Sequence, residues 1–380
     1  MAKIRAAIVG TGFMGKVHTE NLRRLGNVKI SVVVGSSLQR AQAFADAADI
    51  PRATADLKSV LDDKEIAAIH ICTPNADHYP MSLAALEAGK AVLCEKPMTM
   101  TSEEARTLVR VAKERGLPNC VQHNLRYYPV VQQIRQMIRR GDLGDILIAQ
   151  GTYSQDWLLY DTDWNWRVDA KSNGALRAMG DIGSHWMDLV QHLTGLNITE
   201  VCADLSTFHK TRKRPKGSVE TFSGKQAQPT DYEEVPIDTD DYGAVLIHLG
   251  DRARGGFTVS QMSAGCKNRF AMEIFGTKAG VSWNQEAPDT LWIGNRNEPN
   301  QIIIKDASLM HPEAAHFADL PGGHSEGYDD SHKQVFRQFY ARVADPSVEI
   351  NYPTFEDGLR GMVLLEKVAE SAAKRGWVTV

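Results

Sequence analysis

Short apolar runs and amphipathic stretches alternate over residues 1–125. The apolar runs lie at 3–10, 28–35, 66–72, 90–97 and 118–124. Such runs are typical of strands that are buried on both faces of a parallel sheet. The stretches between them have helical spacing and lie at 13–24, 38–48, 76–89 and 102–116. The pattern predicts an α/β domain over 1–124, with a doubly wound parallel sheet covered by helices on both faces.

The pattern changes after residue 125. Helices are predicted over 129–141, 331–344 and 355–374. Runs in which apolar and polar residues alternate, joined by short links, lie at 145–155, 200–208, 242–250, 254–264, 269–276 and 279–284. Alternation indicates antiparallel strands with one face on the core and one face in solvent. We therefore expect a second, α+β domain over 125–380, built on a large, open, mostly antiparallel sheet.

One polar segment, 209–236, has basic residues first and acidic residues last. It lacks aromatic residues interleaved with the basic ones, which a single-stranded nucleic-acid surface would need. We interpret it as a solvated loop between strands. The formal net charge of the chain is −4, and this value gives no sign of a nucleic-acid partner.

Two features of the composition predict where the protein works. No apolar run approaches the roughly 18 residues that a membrane-spanning helix needs, so we expect no membrane contact. The five cysteines form no C-x-x-C pair and are Cys72, Cys94, Cys120, Cys202 and Cys266. Scattered cysteines in apolar runs are interpreted as buried free thiols of a reducing compartment, which predicts a cytoplasmic protein.

Three glycines follow the first predicted strand in the spacing G-x-G-x-x-G. In this pattern Gly10 permits a tight turn, Gly12 lets the backbone approach a pyrophosphate, and Gly15 lets the next helix pack on the strand. The phosphates would lie at the N-terminus of that helix. The motif and its position between strand and helix predict a dinucleotide site.

The end of the second strand bears on which dinucleotide binds. Enzymes that use NAD usually carry Asp or Glu there, on the ribose 2′-hydroxyl. This chain instead has Ser36 and Ser37, which are neutral donors. Arg40 could meet a 2′-phosphate or could be an exposed helix residue. The cofactor is therefore predicted to be NAD or NADP.

Two further segments carry candidate chemistry. Lys96 follows an apolar strand, at the edge where parallel sheets bind ligands, and it could stabilise a developing alkoxide or pair with an acid. Asp181 and His185 lie four residues apart on one face of a predicted helix. The pair suits acid–base chemistry, or alternatively marks a capped helix start with a core histidine. A metal would need a third ligand at a telling spacing, and the sequence offers none.

Taken together, these motifs resemble one protein family. In chain order they are the glycine-rich turn, the segments 73–78 and 95–97, and the segment 180–185. This order is similar to that of the Gfo/Idh/MocA (glucose–fructose oxidoreductase / inositol dehydrogenase) family, and the later segments 239–249 and 272–280 resemble its second domain. The resemblance implies a Rossmann domain, a nicotinamide cofactor and a sugar or polyol dehydrogenase. It also implies a homo-oligomer, a dimer or tetramer, that assembles through the second-domain sheet.

The resemblance further implies roles for individual residues. Lys96 matches the lysine that contacts the reacting hydroxyl, Asp181 the substrate-binding acid, and His185 the proton-transferring histidine. The glycine motif, the second strand and the resemblance together predict the cofactor-binding residues Gly10, Gly12, Phe13, Met14, Gly15, Ser36, Ser37, Arg40, Thr73, Pro74, Asn75, His78, Glu95 and Lys96. The predicted substrate-binding residues are Arg126, Tyr153, Asn165, Arg167, Asp181, His185 and His324.

Within the family, the aromatic loop 155–167 and the segment 322–330 resemble members that oxidise the C3 hydroxyl of levoglucosan-like or glucoside-like pyranoses. This implies hydride transfer between a sugar secondary alcohol and NAD(P). Two alternatives stay open: an NAD-dependent glycoside hydrolase that works through a transient 3-keto intermediate, and an inositol or polyol dehydrogenase. A non-catalytic sensor is disfavoured, because both Lys96 and His185 are present.

Overall fold

A computed structural model describes residues 3–216 and 231–380 of the protein. Contacts within the chain divide it into two compact units. The first unit consists of Met1–Asn124 and His332–Met362, and the second of Leu125–Ser331 and Val363–Val380. The second unit thus differs from the predicted domain 125–380 by residues 332–362, and the domain bounds stay a prediction.

The first unit is built on a six-stranded sheet. Its strands are β1 (Ile4–Val9), β2 (Val28–Val34), β3 (Ala53–Thr54), β4 (Ala68–Ile71), β5 (Ala91–Cys94) and β6 (Asn119–Val121). They lie in the order β3-β2-β1-β4-β5-β6, and every neighbouring pair is parallel. All side chains of β4 and β5 are buried, as expected for strands covered on both faces. The predicted doubly wound parallel sheet is confirmed.

Helices connect these strands. They are α1 (Phe13–Arg23), α2 (Leu38–Ala47), α3 (Leu57–Leu61), α4 (Asn75–Glu87) and α5 (Ser102–Arg115). Local sequence sets both ends of α5. Thr101 and Glu104 form a reciprocal capping box at its start, and Gly116 ends it in the left-handed conformation, at φ 62°. Two long helices lie near the end of the chain, α10 (Tyr328–Ala344) and α11 (Phe355–Lys374).

The second unit is built on a nine-stranded sheet. Its strands are β7 (Ile146–Ser154), β8 (Ile198–Ser206), β11 (Tyr242–Leu249), β12 (Ala253–Ser260), β13 (Arg269–Gly276), β14 (Ala279–Asn284), β15 (Thr290–Asn295), β16 (Gln301–Ile304) and β17 (Val378–Thr379). They lie in the order β16-β15-β14-β13-β7-β12-β11-β8-β17. Only the central pair β7–β12 is parallel among these neighbours. The predicted large, mostly antiparallel sheet is confirmed.

The helices that lie wholly within the second unit are short. They are α6 (Pro129–Arg139), α7 (Ala170–Asn173), α8 (Ser184–Thr194) and α9 (Pro312–Ala315). A five-residue π turn, Met179–Gly183, leads directly into α8. Among the residues that the structure describes, no helix combines the length and the apolar character that a membrane span requires.

The interpretation of 209–236 as a solvated loop is wrong for part of that segment. Two short antiparallel strands, β9 (Thr211–Pro215) and β10 (Tyr232–Pro236), pair within it. Opposite charges on the two strands explain the pairing. Arg214 forms an ion pair with Glu233, which lies directly opposite, and Lys216 lies 3.0 Å from Asp231. Residues 217–230 lie outside the described part of the chain.

The cysteines are all free thiols, as expected. Cys72, Cys94 and Cys120 are buried, whereas Cys202 and Cys266 are only partly buried. The prediction of burial is therefore correct for the three cysteines of the first unit and wrong for the other two. Cys202 lies on β8, where alternate side chains leave the core and become partly accessible.

Candidate functional site

The glycine-rich turn after β1 shows which of its glycines are needed for packing. Gly10 has a φ of 115°, and a Cβ there would lie 2.5 Å from the carbonyl oxygen of Cys72. A Cβ on Gly15 would lie 2.2 Å from the carbonyl oxygen of Gly10. A Cβ on Gly12, in contrast, would have no described atom within 4 Å. Packing therefore requires the first and third glycines, and leaves open space beside the second.

The open space beside Gly12 fits the pyrophosphate of a dinucleotide. Gly12 is the N-cap of α1, and no side chain caps the helix there. The first backbone N–H groups of a helix bind phosphate readily, and the helix dipole favours the negative charge. Phe13 and Met14 are the first two residues of this helix; Phe13 is exposed and Met14 is partly buried. The turn is therefore suited to holding a dinucleotide phosphate.

The segment after β2 carries the residues expected to meet the adenosine ribose. Ser36, Ser37 and Arg40 are all exposed. The Ser37 hydroxyl accepts a hydrogen bond from the Arg40 backbone N–H at 3.2 Å, which caps α2. No carboxylate lies between Gly35 and Arg40 in the sequence. The local residues thus present hydroxyl groups and one cation.

Two loops at the carboxyl ends of the neighbouring strands β4 and β5 are joined by one histidine. The ring of His78 lies between two carbonyl oxygens, with Nδ1 2.8 Å from that of Pro97 and Nε2 3.0 Å from that of Thr73. His78 is buried, and burial lowers its pKa in spite of the two carbonyl contacts. The contact links the segment Thr73–Pro74–Asn75 to the segment that carries Lys96.

Glu95 is a buried carboxylate directly before Lys96 in the chain. His18 Nε2 lies 2.9 Å from its Oε1, and the Lys96 backbone N–H donates to its Oε2 at 3.3 Å. Burial alone would raise the pKa of Glu95. The hydrogen bond and charge of His18, together with the charges of His332 and Lys96, outweigh that effect and hold the pKa of Glu95 below its usual range. The carboxylate therefore stays charged behind the candidate lysine.

A chain of buried polar side chains continues from Glu95 and was not predicted from the sequence. His18 Nδ1 lies 2.8 Å from His70 Nδ1, and His70 Nε2 lies 3.0 Å from the Tyr340 hydroxyl. Burial lowers the pKa of His70 well below its usual value, so its ring is neutral. These residues are 52 and 270 positions apart in sequence, so no local spacing could have revealed the chain.

In the second unit, Asp181 lies in the π turn Met179–Gly183 and His185 in the first turn of α8. The Ser184 backbone N–H donates to the Met179 carbonyl, the i to i+5 bond of a π turn. Such turns widen a helix locally and often mark functional sites. Asp181 and His185 are therefore separated by a wider turn than the regular α-helix that the sequence predicts. Both side chains are buried.

The start of this helical segment is anchored by Asp240. Its two carboxylate oxygens accept the backbone N–H groups of Arg177 at 2.6 Å and of Met179 at 2.7 Å. Burial raises the pKa of Asp240, while those two bonds oppose the rise. Asp240 lies in the segment 239–249, whose sequence resembles part of the second domain of the family. Its structural role in that segment is to fix the turn that carries Asp181.

Asp181 accepts hydrogen bonds at both of its oxygens. Arg167 Nε donates to Oδ1 at 3.2 Å, and Gln261 Nε2 donates to Oδ2 at 2.9 Å. Both partners are donors at these atoms, so this arrangement suits an ionised carboxylate. The Asn165 side chain in turn accepts the Arg167 backbone N–H at 3.1 Å. Gln261 was not predicted; the only sequence signal was a polar residue directly after a strand.

Tyr153 lies beside His185, with 6.1 Å between the ring centroids. The Tyr153 hydroxyl donates to Asn268 Oδ1 at 2.8 Å, and the Gln155 amide donates to the same oxygen at 2.8 Å. Burial raises the pKa of Tyr153 well above its usual value, so the phenol stays protonated. Five predicted substrate-binding residues thus form two groups of contacts in the second unit: Asn165 with Arg167 and Asp181, and Tyr153 with His185.

The other two predicted substrate-binding residues are placed differently. Both nitrogens on one edge of the Arg126 guanidinium donate to Asp188 of α8, with Nε 2.8 Å from Oδ2, in a buried ion pair. His324 is exposed in a loop, and its Nδ1 lies 3.3 Å from the Gly322 carbonyl oxygen. Their contacts with a substrate stay a prediction, as does the joint action of Lys96 with the residues of the second unit.

A substitution at Gly12 tests the turn directly. Gly12→Ala should leave the melting temperature unchanged but fill the space where phosphates approach. We expect the dissociation constant of NADH to rise about tenfold, which corresponds to about 1.4 kcal/mol. Fluorescence titration with NADH and thermal unfolding measure the two effects.

Gly15→Ala is the matched comparison, because its Cβ would meet the Gly10 carbonyl oxygen at 2.2 Å. This variant should lose thermal stability. An unchanged NADH affinity in Gly12→Ala would contradict the assignment of the turn to phosphate binding.

Comparison with known proteins adds independent findings. A family model described as "Oxidoreductase family, NAD-binding Rossmann fold" matches residues 4–123, and one described as "GFO/IDH/MocA C-terminal domain" matches residues 131–282. Levoglucosan dehydrogenase from Pseudarthrobacter phenanthrenivorans is 28% identical, over 100% of this chain and 99% of the relative. Glucose-6-phosphate 3-dehydrogenase from Bacillus subtilis is 24% identical, over 96% of this chain and 95% of the relative.

A solved structure points the same way. Levoglucosan dehydrogenase in complex with NADH and L-sorbose superimposes with a TM-score of 0.90 and 27% identity, and the match covers 100% of this chain and 99% of that one. The two family models together span well over half of the chain. The chain therefore belongs to the Gfo/Idh/MocA family of NAD-binding oxidoreductases.

Proposed function

We propose that the protein oxidises a secondary hydroxyl of a pyranose sugar or sugar derivative, at C3 of a levoglucosan-like or glucoside-like ring, and passes the hydride to NAD or NADP. The relatives named above support the substrate class, because they include a levoglucosan dehydrogenase and a sugar phosphate 3-dehydrogenase that align over nearly the whole chain. The reaction is reversible, and the concentrations of its substrates and products relative to equilibrium set its direction.

The observation that carries the proposal is the placement of an ionised aspartate and a histidine on one helical segment. Asp181 is fixed at both oxygens, and His185 follows it by four residues. A carboxylate that still has lone pairs can accept hydrogen bonds from two sugar hydroxyls, whereas a histidine can take a proton near neutral pH. The pair therefore supplies both binding and proton transfer to a sugar alcohol.

His185 acts as the general base. Its ring takes the proton of the reacting hydroxyl while the C–H bond at the same carbon breaks. When bound, the nicotinamide ring supplies the acceptor for the hydride. Asp181 holds the sugar by its neighbouring hydroxyls, so that the reacting hydroxyl is directed to His185.

Lys96 supplies the positive charge for the same oxygen. Its ammonium group stabilises the alkoxide that develops as the proton leaves. The buried Glu95 carboxylate next to it in the chain accepts the Lys96 backbone N–H. This contact, together with the contact of His78 with Pro97, holds the backbone of the lysine in place.

The sugar-binding surface of the second unit combines aromatic and polar side chains. The Arg167 guanidinium lies over the Trp166 ring, with 4.5 Å between its central carbon and the ring centroid. Trp157 donates to Gln155 at 2.8 Å. Flat rings suit the apolar face of a pyranose, and fixed amides and guanidinium groups suit its hydroxyls. We assign sugar recognition to this surface and to Asn165 and Tyr153.

We also propose that the protein is a cytoplasmic homo-oligomer, a dimer or tetramer. Its five free cysteines fit a reducing compartment. The nine-stranded sheet exposes large apolar side chains on several strands, among them Ile148, Leu246 and Ile302. Such side chains on an open sheet fit contact with another copy of the chain.

A sugar screen tests the proposed reaction. Purified protein is incubated with levoglucosan, alkyl glucosides, free hexoses and inositols, each with NAD or NADP, and the absorbance of the reduced nicotinamide is followed. We expect the pyranoses with a free C3 hydroxyl to be oxidised. We also expect NADP to be accepted, because no carboxylate repels its 2′-phosphate between Gly35 and Arg40.

The screen also separates the other reactions. If only the inositols are oxidised, the protein is an inositol or polyol dehydrogenase and not a sugar dehydrogenase. Aryl glucosides are included as a further set of compounds, and their cleavage without net formation of NADH would indicate a glycoside hydrolase instead. Absence of turnover with every compound would contradict the proposed function.

Substitution of the two groups at the reacting oxygen tests the mechanism. Lys96→Ala and His185→Ala should each lower kcat by about 10²–10⁴-fold, the usual range for general acid–base groups. NADH affinity should survive, since the glycine turn is unchanged. Lys113→Ala, at an exposed position on α5, is the control and should keep full activity. Full turnover in both catalytic variants would contradict the assignment.

A further inference from the structure

A buried polar network lies behind Asp181 in the second unit. Gln261 Oε1 accepts a hydrogen bond from Arg177 Nη1 at 3.2 Å, and Gln261 Nε2 donates to Asp181 at 2.9 Å. Arg177 is paired with Asp241, and Arg212 donates to the same Asp241 oxygen at 2.9 Å. Gln261, Arg177, Asp241 and Arg212 are all completely buried.

The chemistry of the partners fixes the orientation of the Gln261 amide. An arginine only donates hydrogen bonds, so the amide oxygen must face Arg177. The amide nitrogen then faces Asp181, which must accept, and an ionised carboxylate does so with any of its lone pairs. The network therefore runs from a cation, through a neutral amide, to an anion. If the amide oxygen and nitrogen exchanged places, the nitrogen would face the donor Arg177 and the oxygen would face the carboxylate of Asp181.

The charges of the network explain why a neutral residue stands at this position. Burial and the neighbouring Arg212 lower the pKa of Arg177 to about 9, so it stays protonated at neutral pH. Its charge is balanced by Asp241, and Asp181 is balanced by Arg167. An amide can bridge the two ion pairs without adding a charge, which is costly in a buried site.

The backbone of Gln261 is also held in place. Its N–H donates to the Asp241 carbonyl oxygen at 3.2 Å, and its own carbonyl accepts the Leu158 N–H at 3.3 Å. Leu158 lies in the aromatic loop 155–167. Gln261 therefore contacts the loop through its backbone and the substrate-binding acid through its side chain.

We propose that Gln261 is a positioning residue for the sugar: it fixes the rotamer of the ionised Asp181 and so aims the bound hydroxyl at His185. The proposal rests on the proposed function. Without the amide, the hydrogen bond at Asp181 Oδ2 is lost while Arg167 still donates to Oδ1, so the preference of the carboxylate for its present rotamer weakens. The sugar would then bind in a misaligned pose, and a shift of about 1 Å can lower turnover about a hundredfold.

Two variants separate positioning from folding. Gln261→Leu keeps the size of the side chain and removes both hydrogen bonds. Gln261→Glu keeps the acceptor for Arg177 but, when ionised, has no donor for Asp181. In Gln261→Leu we expect kcat/KM with the sugar to fall about a hundredfold, while NADH affinity stays that of the unmodified protein, because the nucleotide turn is not touched.

The pH profile of Gln261→Glu tests the positioning role most directly. At low pH the new carboxyl group is protonated and can donate to Asp181, whereas at higher pH two carboxylates face each other. Relative to the unmodified protein, activity should therefore be nearly normal at low pH and fall as the pH rises through the pKa of the new group. The charged groups that contact the Gln261 side chain are Arg177 and Asp181, and next to these lie Asp241, Arg167, Arg212 and Asp240.

Gln150 offers a matched control. Its amide also donates to a carboxylate, Glu273, at 2.8 Å, but on an exposed part of the sheet. Gln150→Leu and Gln150→Glu should leave kcat/KM and its pH profile unchanged. Circular dichroism and NADH titration at each pH establish that the compared variants are folded.

The outcomes are distinct. Loss of sugar turnover in Gln261→Leu, with a new fall of activity toward high pH in Gln261→Glu, supports the positioning role. Turnover within twofold of the unmodified protein in both variants, or an equal loss at every pH in Gln261→Glu, overturns it. Failure of the unmodified protein to oxidise any sugar would instead reject the proposed function on which the role rests.

Discussion

A carboxylate that is buried must be paired, and Asp181 is the buried carboxylate around which the second unit arranges its candidate site. Removal from water penalises its charge, and donors must compensate at both oxygens. Arg167 and Gln261 do so. Gln261 in turn needs Arg177, and Arg177 needs Asp241. One buried charge, which we propose binds the substrate, thus determines the identity of several residues that would not touch a substrate themselves.

The first unit follows a different constraint, the close approach of backbone to phosphate. The carboxyl ends of β1, β4 and β5 meet at one edge of the sheet, and the loops that follow them carry the glycine turn, Thr73 and Lys96. These loops are held by contacts with one another and not by the hydrogen bonds of a helix or strand. The carbonyl group of Cys72 packs against Gly10, and the ring of His78 contacts the carbonyl oxygens of both Thr73 and Pro97. Ligand binding in such sheets occurs where the strand order reverses, which here lies between β1 and β4.

Sequence patterns predicted the features that depend on neighbours along the chain. Uninterrupted apolar runs identified β1, β2, β4, β5 and β6 but not the two-residue β3, and alternation identified β8, β11 and β13. They could not predict the parallel pair β7–β12, because its two strands are far apart along the chain. The same reason hid Gln261, which is 80 residues from Asp181. The pairing of β9 with β10 was missed, although the opposite charges that join these strands are visible in the sequence. Arg126, which is predicted to bind the substrate, is paired with Asp188, and its contact with a substrate stays a prediction.

In the proposed reaction, a hydrogen on C3 of a sugar leaves as hydride, under the control of Lys96 and His185. Isotope transfer tests it most directly. The protein is incubated with NAD and a glucoside deuterated at C3, and the reduced cofactor is examined by proton NMR. We expect the reduced cofactor to carry one deuterium at C4 of the nicotinamide ring. Reduced cofactor that carries only protium at C4 would contradict it, because the transferred hydrogen would then come from another position.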